Sequence, residues 1–176
     1  MKRPDITAER VRELFDYDQE TGIFRWKLSP KGGIPAGHVA GTPDKHGYIM
    51  IISSQRKYKA HRLAWLYQYG AFPASHIDHI DGNKANNAIA NLREATRGQN
   101  MQNVKKARKD SGSGLIGAYH RHDGKWWSYI RLNRVQIYLG SFQTPEAAHA
   151  AYLKAKAELH PFQTIVNQEP AELAGP

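Results

Sequence analysis

Apolar residues in the first part of the chain recur with two different periods. Val11, Leu14 and Phe15 follow at helical spacing behind Thr7, a residue type that caps the N-termini of helices. A second stripe with helical spacing runs through residues 61–69. These stripes predict two amphipathic helices whose apolar faces contribute to a core.

Strand-like runs lie around these helices. Residues 23–26 and 48–52 are rich in aromatic and β-branched side chains, and residues 57–60 can return beside the second run as a hairpin. Residues 16–22 have the composition of a turn, and residues 29–47 hold many glycines and prolines. We therefore expect short strands that are joined by turns and by one long irregular loop.

The composition changes at residues 105–113. This basic segment contains glycine and serine but no apolar side chain larger than alanine, so it cannot build a core. We expect a linker here between two modules. The predicted organisation is a domain over residues 1–104, the linker over 105–113, a second domain over 114–160 and a tail over 161–176.

The second domain has a strand pattern followed by a helix pattern. Residues 116–142 have the pattern of three short strands, with turns at 122–124 and 133–134. Residues 144–146 then combine the N-cap, the first-turn proline and the first-turn acid of a helix start. Because the apolar stripe of that helix consists mostly of small residues, the helix can pack closely on a sheet. The predicted fold class is α+β, with a three-stranded antiparallel sheet packed on one helix in the C-terminal domain.

Charge and composition narrow the range of partners. The chain has 25 Lys and Arg against 16 Asp and Glu, a formal charge of +9 and a pI near 9.8. Such an excess favours a polyanion, most commonly nucleic acid, although a basic soluble protein without such a partner has the same composition. The absence of cysteine excludes disulfides, zinc sites built on thiolates and cysteine nucleophiles. Since no apolar run reaches membrane-spanning length and the N-terminus lacks a signal-peptide core, we expect no membrane association and a cytoplasmic location.

Acidic, imidazole and amide side chains are concentrated in residues 77–100. Asp78 and His79 lie between apolar residues that can anchor a short strand, and a turn signal follows them. Asn91 can begin a returning strand, and a capping-box pattern then predicts a helix that contains Asn100. These four side chains can therefore converge at one end of a hairpin.

This set has the apparatus for phosphodiester hydrolysis. A carboxylate and an amide oxygen can hold one hard cation with open water positions. A neutral imidazole beside them can take a proton from an attacking water. Such an oxygen-rich set suits Mg²⁺ or Mn²⁺ better than structural zinc. Taken singly, each residue is more often structural, so the interpretation depends on the joint pattern.

The motif resembles that of the HNH endonuclease family, of the kind found in phage and in homing endonucleases. The matching residues are His61-Arg62-Leu63-Ala64-Trp65, Ile77-Asp78-His79-Ile80-Asp81-Gly82, Asn86-Asn87, Asn91-Leu92-Arg93-Glu94-Ala95-Thr96, Asn100 and Asn103. The resemblance implies a two-stranded hairpin and a helix around one metal ion, the ββα-metal fold.

The resemblance also implies roles for individual residues. His79 would be the general base, and Asp78 and Asn100 the metal ligands. Asn91 would orient His79 and stiffen the loop between the two strands. Asn100 stands where many family members have histidine, which weakens the affinity for soft metals. We therefore expect one divalent metal ion, Mg²⁺ first and Mn²⁺ as the alternative, and no structural zinc.

One face of the predicted C-terminal sheet is basic and aromatic. Alternation puts Trp126, Ser128, Ile130 and Leu132 on one face and Lys125, Trp127, Tyr129 and Arg131 on the other. An ordinary small sheet with a solvated basic face has the same pattern. A sheet face that reads DNA has it as well.

A second resemblance favours a sheet face that binds DNA. It rests on Gly117, Lys125-Trp126, Ile130-Arg131, Tyr138-Leu139-Gly140-Ser141-Phe142, Thr144-Pro145-Glu146-Ala147-Ala148 and Ala151-Tyr152. These residues resemble the DNA-binding domain of the plant Apetala/ethylene-response-factor class, whose sheet reads DNA. The implied DNA-reading residues are Tyr119, Arg121, Lys125, Trp127, Tyr129, Arg131 and Tyr138. The linker residues expected to follow the DNA backbone are Lys105, Lys106, Arg108 and Lys109.

Together these expectations describe a metal-dependent DNA endonuclease that a C-terminal module directs to double-stranded DNA, in a bacterial host or a phage-infected cell. One alternative is a DNA-binding regulatory or architectural protein with an inactive nuclease fold. Another is an RNA-binding protein, which would share the basic charge. No oligomeric state is implied.

Overall fold

Helices and short strands alternate along the chain in the computed structural model, which describes residues 5–29, 33–104, 106–108 and 110–162. The chain divides into two units, residues 1–96 and residues 97–176. The mixed helix-and-strand class predicted from the sequence is confirmed.

The first unit contains three small antiparallel sheets, two helices and a single 3-10 turn. Its elements are α1 (Ala8–Leu14), β1 (Phe15–Tyr17), β2 (Phe24–Trp26), β3 (Thr42–Pro43), β4 (Ile49–Ser53), β5 (Arg56–Lys59), α2 (Ala60–Tyr69), β6 (His76–His79), the 3-10 turn (Ile89–Asn91) and β7 (Leu92–Ala95). The described sheets are β1-β2, β3-β4-β5 and β6-β7.

Helix boundaries in this unit follow the sequence signals. The Thr7 hydroxyl accepts a hydrogen bond from the backbone N–H of Arg10 at 3.2 Å, which caps α1. Gly70 ends α2 in the left-handed conformation, with a φ of 77°. Val11 of α1 and Leu63 of α2 are fully buried, so both helices contribute to one apolar core as predicted. Phe15, which was expected on the face of the first helix, is also buried but begins β1.

Two local predictions were wrong. Asp16 and Tyr17 were assigned to a turn, but they lie in β1 because Asp16 pairs with Arg25 of β2. The segment 29–47 was expected to be an irregular loop, yet it contributes β3 to a sheet, and residues 30–32 lie outside the described residues. Both errors have one cause, since pairing with the next strand along the chain imposes extended structure on residues such as Asp16 and Pro43, which have low strand propensity.

The second unit consists of α3 (Arg97–Gln102), β8 (Tyr119–His120), β9 (Trp126–Leu132), β10 (Val135–Phe142) and α4 (Pro145–Leu159). The strands form an antiparallel sheet in the order β10-β9-β8, and α4 packs against it. Asn133 and Arg134 both have positive φ, 49° and 70°, as the two central residues of a type I′ hairpin turn require.

Burial along β9 alternates as the sequence indicates. Ser128 and Ile130 are buried against the helix side, whereas Trp127 and Arg131 are exposed. Small residues of α4 make this packing close, since Ala148 and Ala155 are buried. Strand alternation thus separates a packed face from an open face.

No helix in the described part of the chain is both long and apolar enough to cross a membrane.

Gly117→Ala should destabilise the second unit more than Gly124→Ala. Both glycines have positive φ, 76° and 79°, so a Cβ strains the backbone at each. At Gly117 the Cβ would also lie 2.0 Å from the Tyr152 ring, while at Gly124 nothing lies within 4 Å. We expect a loss of about 1–2 kcal/mol at Gly124 and a further ~1–3 kcal/mol at Gly117. Urea unfolding measures both, and equal losses would contradict the close approach.

Candidate functional site

The β6–β7 hairpin places the predicted catalytic residues at the end where its connecting loop begins. Asp78 lies opposite Arg93, and His79 lies opposite Leu92. Asp78 and His79 are each only 5% exposed. A carboxylate and an imidazole that are buried to this degree need specific partners, because desolvation penalises unpaired polar groups.

Arg93 is the partner of Asp78. Its Nε and Nη2 atoms both donate to Asp78 Oδ2, at 3.1 and 2.9 Å. Because the two residues are directly opposite in the antiparallel ladder, the ion pair is a cross-strand pair. It orients the carboxylate and balances its charge in a buried position.

Asn87 is a partner of His79. Its Oδ1 atom lies 3.3 Å from His79 Nε2, and its Nδ2 atom donates to the carbonyl of Ala85 at 3.0 Å. The second bond fixes the orientation of the amide, so the atom facing the imidazole is the acceptor. His79 Nε2 must therefore carry a hydrogen, and in the neutral ring the lone pair is on Nδ1.

The loop between the strands is a network of amide and carboxylate groups. Asn91 Nδ2 donates to Asp81 Oδ1 and to the carbonyl of Asn86, both at 2.9 Å. Its Oδ1 atom accepts from the backbone N–H of Asp81. The Asn86 side chain donates to Asp81 Oδ2 at 2.7 Å. Asn91 thus stiffens the loop directly, whereas its influence on His79 passes through the loop to Asn87.

The β1–β2 hairpin also contacts the loop between β6 and β7 and supports it. The Tyr17 hydroxyl donates to the backbone carbonyl of Asn87 at 2.7 Å, in a buried position. The backbone N–H of Ile89 donates to the carbonyl of Gln19 at 3.0 Å. A Cβ on Gly22 would lie 2.2 Å from the backbone of Asn87, so only glycine permits this approach. The N-terminal hairpin therefore positions the residue that holds His79.

Two further rings lie beside His79. The ring of His61, the second residue of α2, is perpendicular to that of His79 with centroids 5.0 Å apart. The Tyr48 ring is 6.1 Å from His79 and 5.4 Å from His61. His61 was named from the sequence only as part of the matching motif, and the structure places it in this cluster.

Burial controls the protonation of both histidines. It lowers the pKa of His61 to about 3, with smaller contributions from the charges of His79, Lys59 and Arg62. Burial also lowers the pKa of His79, against the raising effect of its bond to Asn87. Both rings are therefore neutral at neutral pH, and a neutral imidazole is the form that can accept a proton.

Asn100 belongs to the second unit, whereas Asp78, the other predicted metal ligand, belongs to the first. It is the fourth residue of α3, which begins two residues after β7 ends, and its side chain is half-buried. Among the described residues, no cluster of three or more His, Asp or Glu side chains could hold a metal ion. The predicted set needs no such cluster, since it combines one carboxylate with one amide. The oxygen atoms of a carboxylate and of an amide are suitable ligands for a hard divalent ion.

The predicted DNA-reading residues lie on and beside the open face of the C-terminal sheet. Tyr119 stacks on Tyr129 with centroids 4.3 Å apart, and Tyr138 meets Trp127 edge-on at 6.0 Å. The Arg121 guanidinium lies 4.7 Å from the Trp127 ring centroid. The exposed members of the set are Tyr119, Lys125, Trp127, Arg131 and Tyr138.

The predicted linker is only partly described. Lys106 and Arg108 are exposed, and Lys105 and Lys109 lie outside the described residues. Their contact with DNA stays a prediction, as do the domain boundaries.

Acid should destabilise the first unit through His61. Its pKa is about 3 when folded and 6.5 in the unfolded chain, so the unfolded state binds more protons between these values. The stabilising effect is complete above pH 6.5 and is lost as the pH falls towards 3. His61→Phe should reduce the pH slope of the free energy of unfolding by up to about 1.4 kcal/mol per pH unit. Urea unfolding over this range is the measurement, and an unchanged slope would contradict the assignment.

Comparison with known proteins supports a nuclease. The family model described as HNH endonuclease matches residues 58–102, which contain α2, the β6–β7 hairpin and α3. No solved structure was found that matches the chain. Nucleases of this family typically use a divalent metal ion. The matched segment therefore indicates a hydrolase of the nuclease class with DNA as its substrate.

Proposed function

We propose that this protein is a metal-dependent DNA endonuclease in which His79 is the general base. The observation that carries the proposal is the buried, neutral His79 ring, whose Nε2 is held by Asn87 while the Asp78 carboxylate is adjacent in the strand. Charge supports the choice of substrate, because a formal charge of +9 favours a polyanion.

His79 would act through Nδ1. In the tautomer set by Asn87, this nitrogen accepts the proton of a water that attacks the scissile phosphorus. The resulting imidazolium keeps its Nε2–H bond to Asn87, which becomes a stronger, charge-assisted bond. Asn91, Asp81 and Tyr17 act by holding the loop that presents Asn87.

Asp78 and Asn100 would hold the divalent ion, with Mg²⁺ as the expected metal and Mn²⁺ as the alternative. When bound, the ion neutralises charge on the phosphate and on the leaving oxygen. Arg93 fixes the Asp78 carboxylate through Oδ2 and so limits how it can turn.

The open face of the C-terminal sheet would direct cleavage. Its stacked tyrosines and its arginines can contact bases and phosphates of duplex DNA, and Lys106 and Arg108 would follow the backbone. In this assignment, the hairpin around His79 cuts and the C-terminal sheet selects where. A cytoplasmic location in a bacterial or phage-infected cell remains part of the proposal.

A regulatory or architectural DNA-binding protein with an inactive nuclease fold is the second candidate. The observation in its favour is the Asp78–Arg93 ion pair, because a guanidinium on the carboxylate competes with a metal ion. This candidate predicts DNA binding without cleavage.

His79→Ala should abolish cleavage without abolishing binding. With Mg²⁺, the wild type should relax or linearise supercoiled plasmid, and loss of the base should slow this by ~10²–10⁴-fold. EDTA should stop cleavage as well. His76→Ala is the matched control, since His76 lies on the same strand but is exposed. Cleavage by His79→Ala at the wild-type rate would refute the mechanism, and binding without cleavage by the wild type under Mg²⁺ or Mn²⁺ would favour the inactive regulator.

Trp127→Ala should weaken binding to duplex DNA about tenfold, or ~1.4 kcal/mol, because it removes an aromatic anchor from the open face. Val135→Ala is the control, since Val135 is an exposed apolar residue, 63% accessible, that alternation places on the other face. Fluorescence anisotropy measures both dissociation constants. Equal affinities for the two variants would show that the open face does not bind DNA.

A further inference from the structure

The Tyr48 side chain lies beside His79 without a role in the mechanism above. Tyr48 directly precedes β4 and is half-buried. Its ring is within contact range of both His61 and His79, with centroids 5.4 and 6.1 Å apart. Anything bound to this ring therefore lies next to the proposed base.

Two lysine side chains from different elements converge on the Tyr48 ring. The Nζ atom of Lys59, at the end of β5, is 3.9 Å from the ring centroid. The Nζ atom of Lys84, in the loop between β6 and β7, is 4.8 Å from the same centroid. Both distances end at the same ring centroid, so both ammonium groups belong to one cluster around Tyr48. The cation–π contacts hold them there.

The positive charge of this pair is balanced only in part, because the Asp44 carboxylate interacts electrostatically with Lys59. Within the described residues, neither Lys59 nor Lys84 forms an ion pair with a carboxylate, and Lys84 donates to the backbone carbonyl of His46 at 3.2 Å. Asp44, the acid of the neighbouring turn, accepts from the backbone N–H groups of His46 and Tyr48. Two like charges that share one ring repel each other, and an anion bound between them would relieve that repulsion.

We propose that Tyr48, Lys59 and Lys84 form a binding subsite for one phosphodiester group of the DNA strand that passes His79. The proposal deepens the proposed function and rests on it. A lysine ammonium is a compact charge with rotatable donors, which suits the tetrahedral oxygens of a phosphate. The subsite would hold the strand against the β6–β7 hairpin, so that the neighbouring phosphate reaches His79.

The test uses the full chain, a short duplex DNA and EDTA, so that binding is measured without cleavage. Each phosphate contact that is lost should reduce the slope of log affinity against log salt by about 0.9. Lys59→Gln and Lys84→Gln should each lower the slope, and the double variant should lower it by about 0.9, because both lysines contact one phosphate. Lys57→Gln is the matched control, because Lys57 is an exposed lysine on the same strand without a contact to Tyr48 in the described part of the chain.

The outcomes separate this subsite from the proposed activity. Salt slopes that fall for Lys59→Gln and Lys84→Gln but not for Lys57→Gln support the subsite, even if the wild type cleaves nothing with Mg²⁺. Salt slopes for both variants equal to that of Lys57→Gln overturn it, even if the wild type cleaves. Thermal unfolding of each variant checks that the fold is retained; Lys57 and Lys84 are exposed, and Lys59 is partly buried.

Discussion

The contact between His79 Nε2 and Asn87 Oδ1 determines what the hairpin can do chemically. It holds a buried imidazole in one tautomer, with the lone pair on Nδ1, which is the proton acceptor in the proposed mechanism. Burial lowers the pKa of the same ring, so the neutral form prevails at neutral pH. A histidine with one defined lone pair differs from a surface histidine, whose tautomer and charge change with the solvent.

The rest of the first unit supports the His79–Asn87 contact through the loop between β6 and β7. Tyr17 packs in the aromatic core against Phe24, with centroids 4.5 Å apart, and its hydroxyl reaches the backbone of Asn87. Within the loop, Asn91 and Asp81 form hydrogen bonds to each other. Two hydrogen bonds, Tyr17–Asn87 and Asn87–His79, therefore connect the apolar core to the imidazole. The lead-in before the matched segment positions the candidate site as well as stabilising the fold.

The sequence predicts the hairpin that carries the candidate site, but it does not predict all of the side-chain contacts within that site. Asp78, His79 and the returning strand could be predicted because a hairpin depends on nearby residues and on a turn signal. The alternation along β9 and the cap of α4 could be predicted for the same reason. Asn87 was quoted only as part of a motif, since its role depends on Tyr17, which is 70 positions away in the chain. Tyr48 and Lys59 were missed because tertiary packing, which no local pattern encodes, brings them to His79.

Nitrogen NMR of the His79 ring in the full chain at neutral pH tests the central claim most directly. We expect a neutral imidazole with the hydrogen on Nε2 and the lone pair on Nδ1, and we expect that Asn87→Ala makes the ring lose this single tautomer. Tyr17→Phe should weaken the preference without removing it, because it takes away only the support of the Asn87 backbone. A wild-type ring that carries its hydrogen on Nδ1, or that is charged at neutral pH, would contradict the assignment of His79 as the base.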